Sequence, residues 1–96
     1  MSTLHIINQS PFGSTSLEQC LSVCLDGDSI LFTQDGVLVL QNLAALAALE
    51  VDYYVLTEDA QARGLEQALS KSEAKAAGYD DFVMLVCSHK NSVTWS

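Results

Sequence analysis

Residues 1 to 62 contain no lysine or arginine. That stretch carries eight carboxylates (Glu18, Asp26, Asp28, Asp35, Glu50, Asp52, Glu58 and Asp59), and the whole 96-residue chain sets four Lys and Arg against twelve Asp and Glu, a formal net charge of −8. So few cations cannot neutralise a run of phosphates, so no direct binding of nucleic acid is expected. Three cysteines with no CxxC spacing do not make a disulfide framework, and an odd number of thiols points to a reducing, cytoplasmic setting. The two histidines, His5 and His89, lie too far apart in sequence to suggest a local zinc site, so neither a metal nor a cofactor is expected. Nowhere do 18 apolar residues run together, and the MSTLHIIN start has no basic n-region, so neither a membrane span nor a secretory leader is expected. Phosphate loops, GxGxxG and GxSxG are all missing, which removes the commonest nucleotide and hydrolase signatures.

Apolar character, in contrast, is plentiful. It reaches 49% of residues in a chain short enough to have an unfavourable surface-to-volume ratio. A domain of this size usually needs disulfides, a metal or a partner, and with the first two set aside the composition favours oligomerisation.

The apolar residues fall into alternating strand and helix patterns. Leu4 to Asn8 is a short strand ended by Ser10-Pro11. Thr15-Ser16-Leu17-Glu18 fits a capping box, and Leu17, Cys20, Leu21, Cys24 and Leu25 follow as one buried helical face, with Gly27 as the stop. Ser29 to Thr33 is apolar enough to be a central strand, broken by Gln34-Asp35-Gly36. Leu40, Leu43, Ala44 and Ala47 keep a helical period within Val37 to Leu49, and Val51 to Leu56 is a third strand. Thr57 can cap a helix that ends at Gly64, and the polar, Ala-rich residues 65–78 fit a helical turn followed by a short strand near Ala74 to Ala77. A last helix runs from Asp80 and Asp81 to about Cys87, and the tail Asn91 to Ser96 is an edge strand. Strands separated by helical stretches of about ten residues predict a single α/β domain over 1–96, with a mostly parallel sheet and helices on both faces.

Chemistry is harder to place. Gln34-Asp35-Gly36 ends a central strand, where open α/β sheets usually hold ligands, but a tight turn with Gly36 at positive φ is the favoured reading. Cys20 and Cys24 sit on the apolar helical stripe with no cation nearby in sequence, which favours packing over reactivity.

An ordered set of segments gives a further lead. LHIINQSPF (residues 4–12), Gly27-Asp28 leading into Ile-Leu-Phe, Gln34-Asp35-Gly36-Val37, Leu56-Thr57-Glu58-Asp59, Ala62-Arg63-Gly64-Leu65 and Tyr79-Asp80-Asp81-Phe82-Val83, with His89 and Trp95, together resemble the TusB/DsrH family over essentially the whole chain. One departure is Ser72 to Gly78, where the family often has a more β-branched fourth strand. The resemblance implies a small flavodoxin-like (DsrEFH-like) three-layer domain. It also implies a cytoplasmic heterohexamer with TusC-like and TusD-like subunits, receiving persulfide sulfur from a TusA-type carrier and passing it to a TusE-type carrier for 2-thiolation of the tRNA wobble uridine. On that reading the chain is mainly structural, an accessory subunit of a sulfurtransferase. The alternative it implies is a DsrH subunit of a DsrEFH sulfur-oxidation complex, in which Cys20 matches a candidate sulfur carrier.

Overall fold

The computed structural model describes residues 2–95, apart from the side chain of Leu43. Five strands, β1 (Thr3–Ile7), β2 (Ser29–Phe32), β3 (Asp52–Leu56), β4 (Lys75–Ala77) and β5 (Asn91–Trp95), form one parallel sheet in the order β4-β3-β2-β1-β5. Between them lie α1 (Ser16–Val23), a 3-10 helix (Gln34–Gln41), α2 (Leu43–Ala47), α3 (Thr57–Ala62), α4 (Glu66–Lys71) and α5 (Tyr79–Ser88). Of the expected tail strand, Ser96 is outside the described residues, as is the contribution of the Leu43 side chain to the expected helical stripe.

Strand order decides which face each helix covers. From β1 to β4 the chain steps across the sheet in one direction, and right-handed crossovers then place every intervening helix on the same face. The step from β4 to β5 runs back past β3, β2 and β1, so the same handedness puts α5 alone on the opposite face. Side-chain alternation agrees. Ile30, Phe32 and Val55 join Leu17, Cys20, Val37, Leu40 and Leu69 in the larger core, whereas Leu4, Leu31 and Tyr54 meet Phe82 and Leu85 of α5 on the other side. All four residues of β2 are buried, as its composition predicts for a central strand.

Several local expectations are corrected. The stretch expected to be one helix over 37–49 is a 3-10 helix followed by a five-residue α-helix. Asn42 divides them, its Oδ1 accepting the Ala45 N–H at 3.2 Å as an N-cap. Gly36 does not adopt positive φ; Gln34 does, at 49°. The requirement for glycine at 36 is steric, because a Cβ there would collide with the Ile7 carbonyl oxygen. The Thr15–Glu18 capping box does not form: Thr15 Oγ1 accepts from the Gln19 side chain, and the Ser16 N–H donates to Ser14 Oγ. Helix α1 stops at Val23, with Gly27 (φ 91°) in the turn beyond it, so Leu17 and Cys20 are buried while Leu21 and Leu25 are exposed. The departure at residues 72–78 still forms a strand, shortened to the three residues of β4 on the sheet edge.

Candidate functional site: a buried His–Asp–Trp–Cys cluster

His5 lies in the middle of β1 with its side chain on the larger-core side, since Leu4 and Ile6 face α5. Parallel pairing of β1 with β2 places the residue before β2, Asp28, beside it, and pairing with β5 brings up Trp95 from the other flank. Asp28 Oδ2 is 2.9 Å from His5 Nε2, and Trp95 Nε1 donates to His5 Nδ1 at 3.1 Å. An indole N–H can only donate, so Nδ1 is the acceptor and the ring proton sits on Nε2, donated to the carboxylate.

Asp28 does more than orient the ring. Its Oδ1 accepts the Thr3 N–H at 3.0 Å and its Oδ2 the Leu25 N–H at 3.1 Å, so one buried carboxylate joins β1, the α1–β2 turn and His5. Burial alone would raise this carboxyl. The hydrogen bonds from His5, Leu25 and Thr3 outweigh it and hold the group below the usual carboxylate range.

Helix α1 covers the cluster and contributes the Cys20 thiol, and the residue that follows the helix contributes that of Cys24. Cys20 is 0% exposed, while Cys24, just past the end of the helix in extended conformation, is partly exposed. One His5 ring nitrogen and the sulfurs of Cys20 and Cys24 all lie within 4.8 Å of one another. Burial first, then the neighbouring Cys24 and the charge of Asp28, push the Cys20 thiol up to about 12. Cys24 is also raised, chiefly by burial, with Asp28 adding to it and the hydrogen bond from Cys20 opposing. At neutral pH both are thiols, and Cys20 in this resting geometry is neither a thiolate nor open to a reagent. Cys87 lies apart, exposed on α5.

The Gln34-Asp35-Gly36 turn is occupied by the protein itself. Arg63 donates from Nε and Nη2 to Asp35 Oδ1, both at 3.1 Å, the Gln34 N–H donates to Asp59 Oδ2 at 2.6 Å, and the Ile7 carbonyl fills the space over Gly36. His89, far from His5 in sequence, also acts structurally, bridging the Leu85 carbonyl and Ser29 Oγ. Sequence reasoning placed Cys20 and Cys24 on one face but missed that Asp28 and His5 belong with them. The strand register that joins them is a long-range property, and no local spacing carries it.

A family described as DsrH like protein matches residues 9–92. The chain is 35% identical to Protein TusB of Erwinia tasmaniensis over 96% of this chain and 99% of that one, and 36% identical to Protein TusB of Yersinia enterocolitica with the same coverage. Among solved structures, the solution structure of Protein Tm0979 from Thermotoga maritima has the same fold, with a TM-score of 0.69 and 17% identity over 90% of this chain and 92% of that one.

Proposed function

The chain belongs to the DsrH-like family, and from that premise we propose that it is a mainly structural subunit of a TusBCD-type sulfur-relay complex. In this reading it packs against TusC-like and TusD-like subunits in a cytoplasmic heterohexamer. The assembly receives persulfide sulfur from a TusA-type carrier and hands it to a TusE-type carrier, for 2-thiolation of the tRNA wobble uridine. The full-length similarity to proteins named TusB supports the relay, and the geometry of this chain supports the structural role within it. No helix among the described residues is long and apolar enough to cross a membrane.

The observation that carries the structural role is the outer side of α5. Tyr79, Val83 and Val86 recur at helical spacing, and with Met84 they are exposed, Val83 at 63% and Met84 at 69%. No described residue of this ten-residue helix is buried. A contiguous apolar stripe of this kind marks a protein-contact surface. Coexpression with the TusC-like and TusD-like chains of the same organism tests the reading: one stable complex should elute on gel filtration, and Val83→Asp should release this subunit. A chain that stays monomeric at high concentration and ignores both partners overturns it.

A second reading, a DsrH-type subunit of a sulfur-oxidation complex with Cys20 as carrier, draws on the placement of Cys20 beside Cys24 and His5. The step would be attack of the Cys20 thiolate on the outer sulfur of a donor persulfide, forming a Cys20 persulfide and releasing the donor as its thiolate. Because Cys20 is buried with its proton held, a partner has to shift α1 first. Mass spectrometry of the assembled complex after exposure to a persulfide donor decides it. One added sulfur on Cys20 supports transfer, and an unmodified Cys20 removes it.

A further inference from the structure

We propose that His5, Cys20 and Cys24 form a binding site for a thiophilic divalent cation, with Zn2+ the best match, supported from behind by Asp28. Two sulfurs and an imidazole are a soft donor set, suited to zinc and unsuited to magnesium or calcium, which seek oxygen. The donors come from two rigid elements, β1 and α1, and from the residue that ends α1. Zinc bonds of about 2.3 Å to sulfur and about 2.0 Å to nitrogen set tetrahedral donors roughly 3.5–3.8 Å apart, so donors that all lie within 4.8 Å of one another need to contract by at most about 1.3 Å. Cys24 can supply it, since its backbone has already left the helix.

The surroundings are those of a metal-ligating histidine. Such a ring commonly donates its second N–H to a carboxylate, which fixes the tautomer and makes the free nitrogen more basic. Here Asp28 takes the Nε2 proton and is itself pinned by the Thr3 and Leu25 N–H groups, which leaves the lone pair on Nδ1. That lone pair now accepts from Trp95 Nε1, so binding requires the indole, at the end of edge strand β5, to turn aside. Cys24 lines a crevice of about 190 Å3 together with Asp26 and Glu50, which gives a cation an approach from the Cys24 side and room for a water or carboxylate in the fourth position. On binding, the Cys20 and Cys24 thiols each give a proton to solvent and the two thiolates neutralise the ion, with no change of oxidation state. A cysteine so engaged cannot carry sulfur, so metal occupancy and a Cys20 persulfide exclude one another.

The test uses the full chain with Cys87→Ser, which removes the exposed thiol, titrated with Co2+ and then Zn2+ under reducing, anaerobic conditions. One equivalent of cobalt should give thiolate-to-metal charge-transfer absorption and the visible bands of a four-coordinate ion, both erased by zinc. Two protons should be released per ion, and emission from Trp95, the only tryptophan, should change. Asp28→Asn should weaken binding by about 10- to 100-fold. Cys24→Ser, at a partly exposed position, should keep the circular dichroism of the parent and abolish the charge-transfer band, and Cys20→Ser should do the same if it folds. Absence of the band in the folded Cys87→Ser protein, or its survival at full strength in Cys24→Ser, overturns the proposal.

Discussion

The two faces of the sheet are unequal. On one, α1, the 3-10 helix, α2, α3 and α4 enclose a core whose described buried members number thirteen; on the other, α5 covers a cluster with three, Leu4, Leu31 and Ala77. The cause is topological. Three successive crossovers in one direction deliver five helical segments to one side, and a single return crossover delivers one helix to the other. The face with many helices holds the polar cluster of His5 and Asp28, dry enough to sharpen every hydrogen bond in it. The face with one helix keeps apolar surface for something else to cover.

Substitutions in the two cores test that asymmetry most strongly. Phe32, 1% exposed in β2, fills the larger core, so Phe32→Ala should cost about 3–5 kcal/mol and leave a marginal protein. Phe82 on α5 is only partly buried, and Phe82→Ala should cost roughly half as much or less. Equal losses in urea-induced unfolding would show that the two cores contribute alike, contrary to the burial pattern.

Asp28 comes next. Asp28→Ala removes one carboxylate from three hydrogen bonds and strands the Thr3 and Leu25 amides and the His5 ring, so a loss of about 2–3 kcal/mol is expected at neutral pH. The sign with pH follows from the depressed folded-state value. The stabilisation is fully present above the ordinary carboxylate range and disappears as the pH falls through the lower folded-state value. Wild type and Asp28→Ala should therefore converge in stability in acid. A gap that stays constant down to low pH would contradict the assigned role of this carboxylate.

Cys20 gives the opposite dependence. A thiol held up to about 12 binds its proton more tightly in the folded chain than in the unfolded one. Its contribution is complete below the ordinary thiol range and is lost as pH rises from there towards 12, with a limiting slope of about 1.4 kcal/mol per pH unit. Alkaline denaturation of Cys20→Ala should be shallower than that of wild type by up to that slope, and identical slopes would mean the thiol is not desolvated as described.

How much of this the chain announces locally varies with the range of the interaction. Strands β1, β2 and β3 were legible because each is a short apolar run closed by a turn residue, and the α/β class followed from their spacing. The stretch 37–49 misleads because Leu40, Leu43, Ala44 and Ala47 keep one helical period, yet Val37, Val39 and Leu40 bury in a 3-10 helix packed on β2, β3 and α3, and a separate short α-helix begins only at Leu43. Likewise the apolar spacing on α1 predicts one fully buried stripe, and the fold covers only its Leu17 and Cys20 side. In the cluster, the nearness of Cys20 and Cys24 is visible in sequence from their spacing of four, although Cys24 itself lies just beyond the helix. The approach of His5, Asp28 and Trp95 depends on strand pairing between residues 23 and 90 positions apart, which no local pattern encodes.

The smallest expected effect on the chain itself sharpens the comparison most. Val83 and Met84 project from α5 away from the sheet, so Val83→Ser and Met84→Ser remove no core contact and should alter the stability of the isolated chain by no more than about 0.5 kcal/mol. A surface substitution of that kind on an unpartnered helix would be silent in every assay. If α5 is instead where the relay subunits join, the same changes should weaken assembly by tenfold or more, because interface cores tolerate polar replacements poorly. Equivalent changes at Gln67 of α4, on the well-covered face, should affect neither stability nor assembly. Measured side by side in unfolding and in coelution, the pair separates a face that is complete in the single chain from one that is completed only by a neighbour.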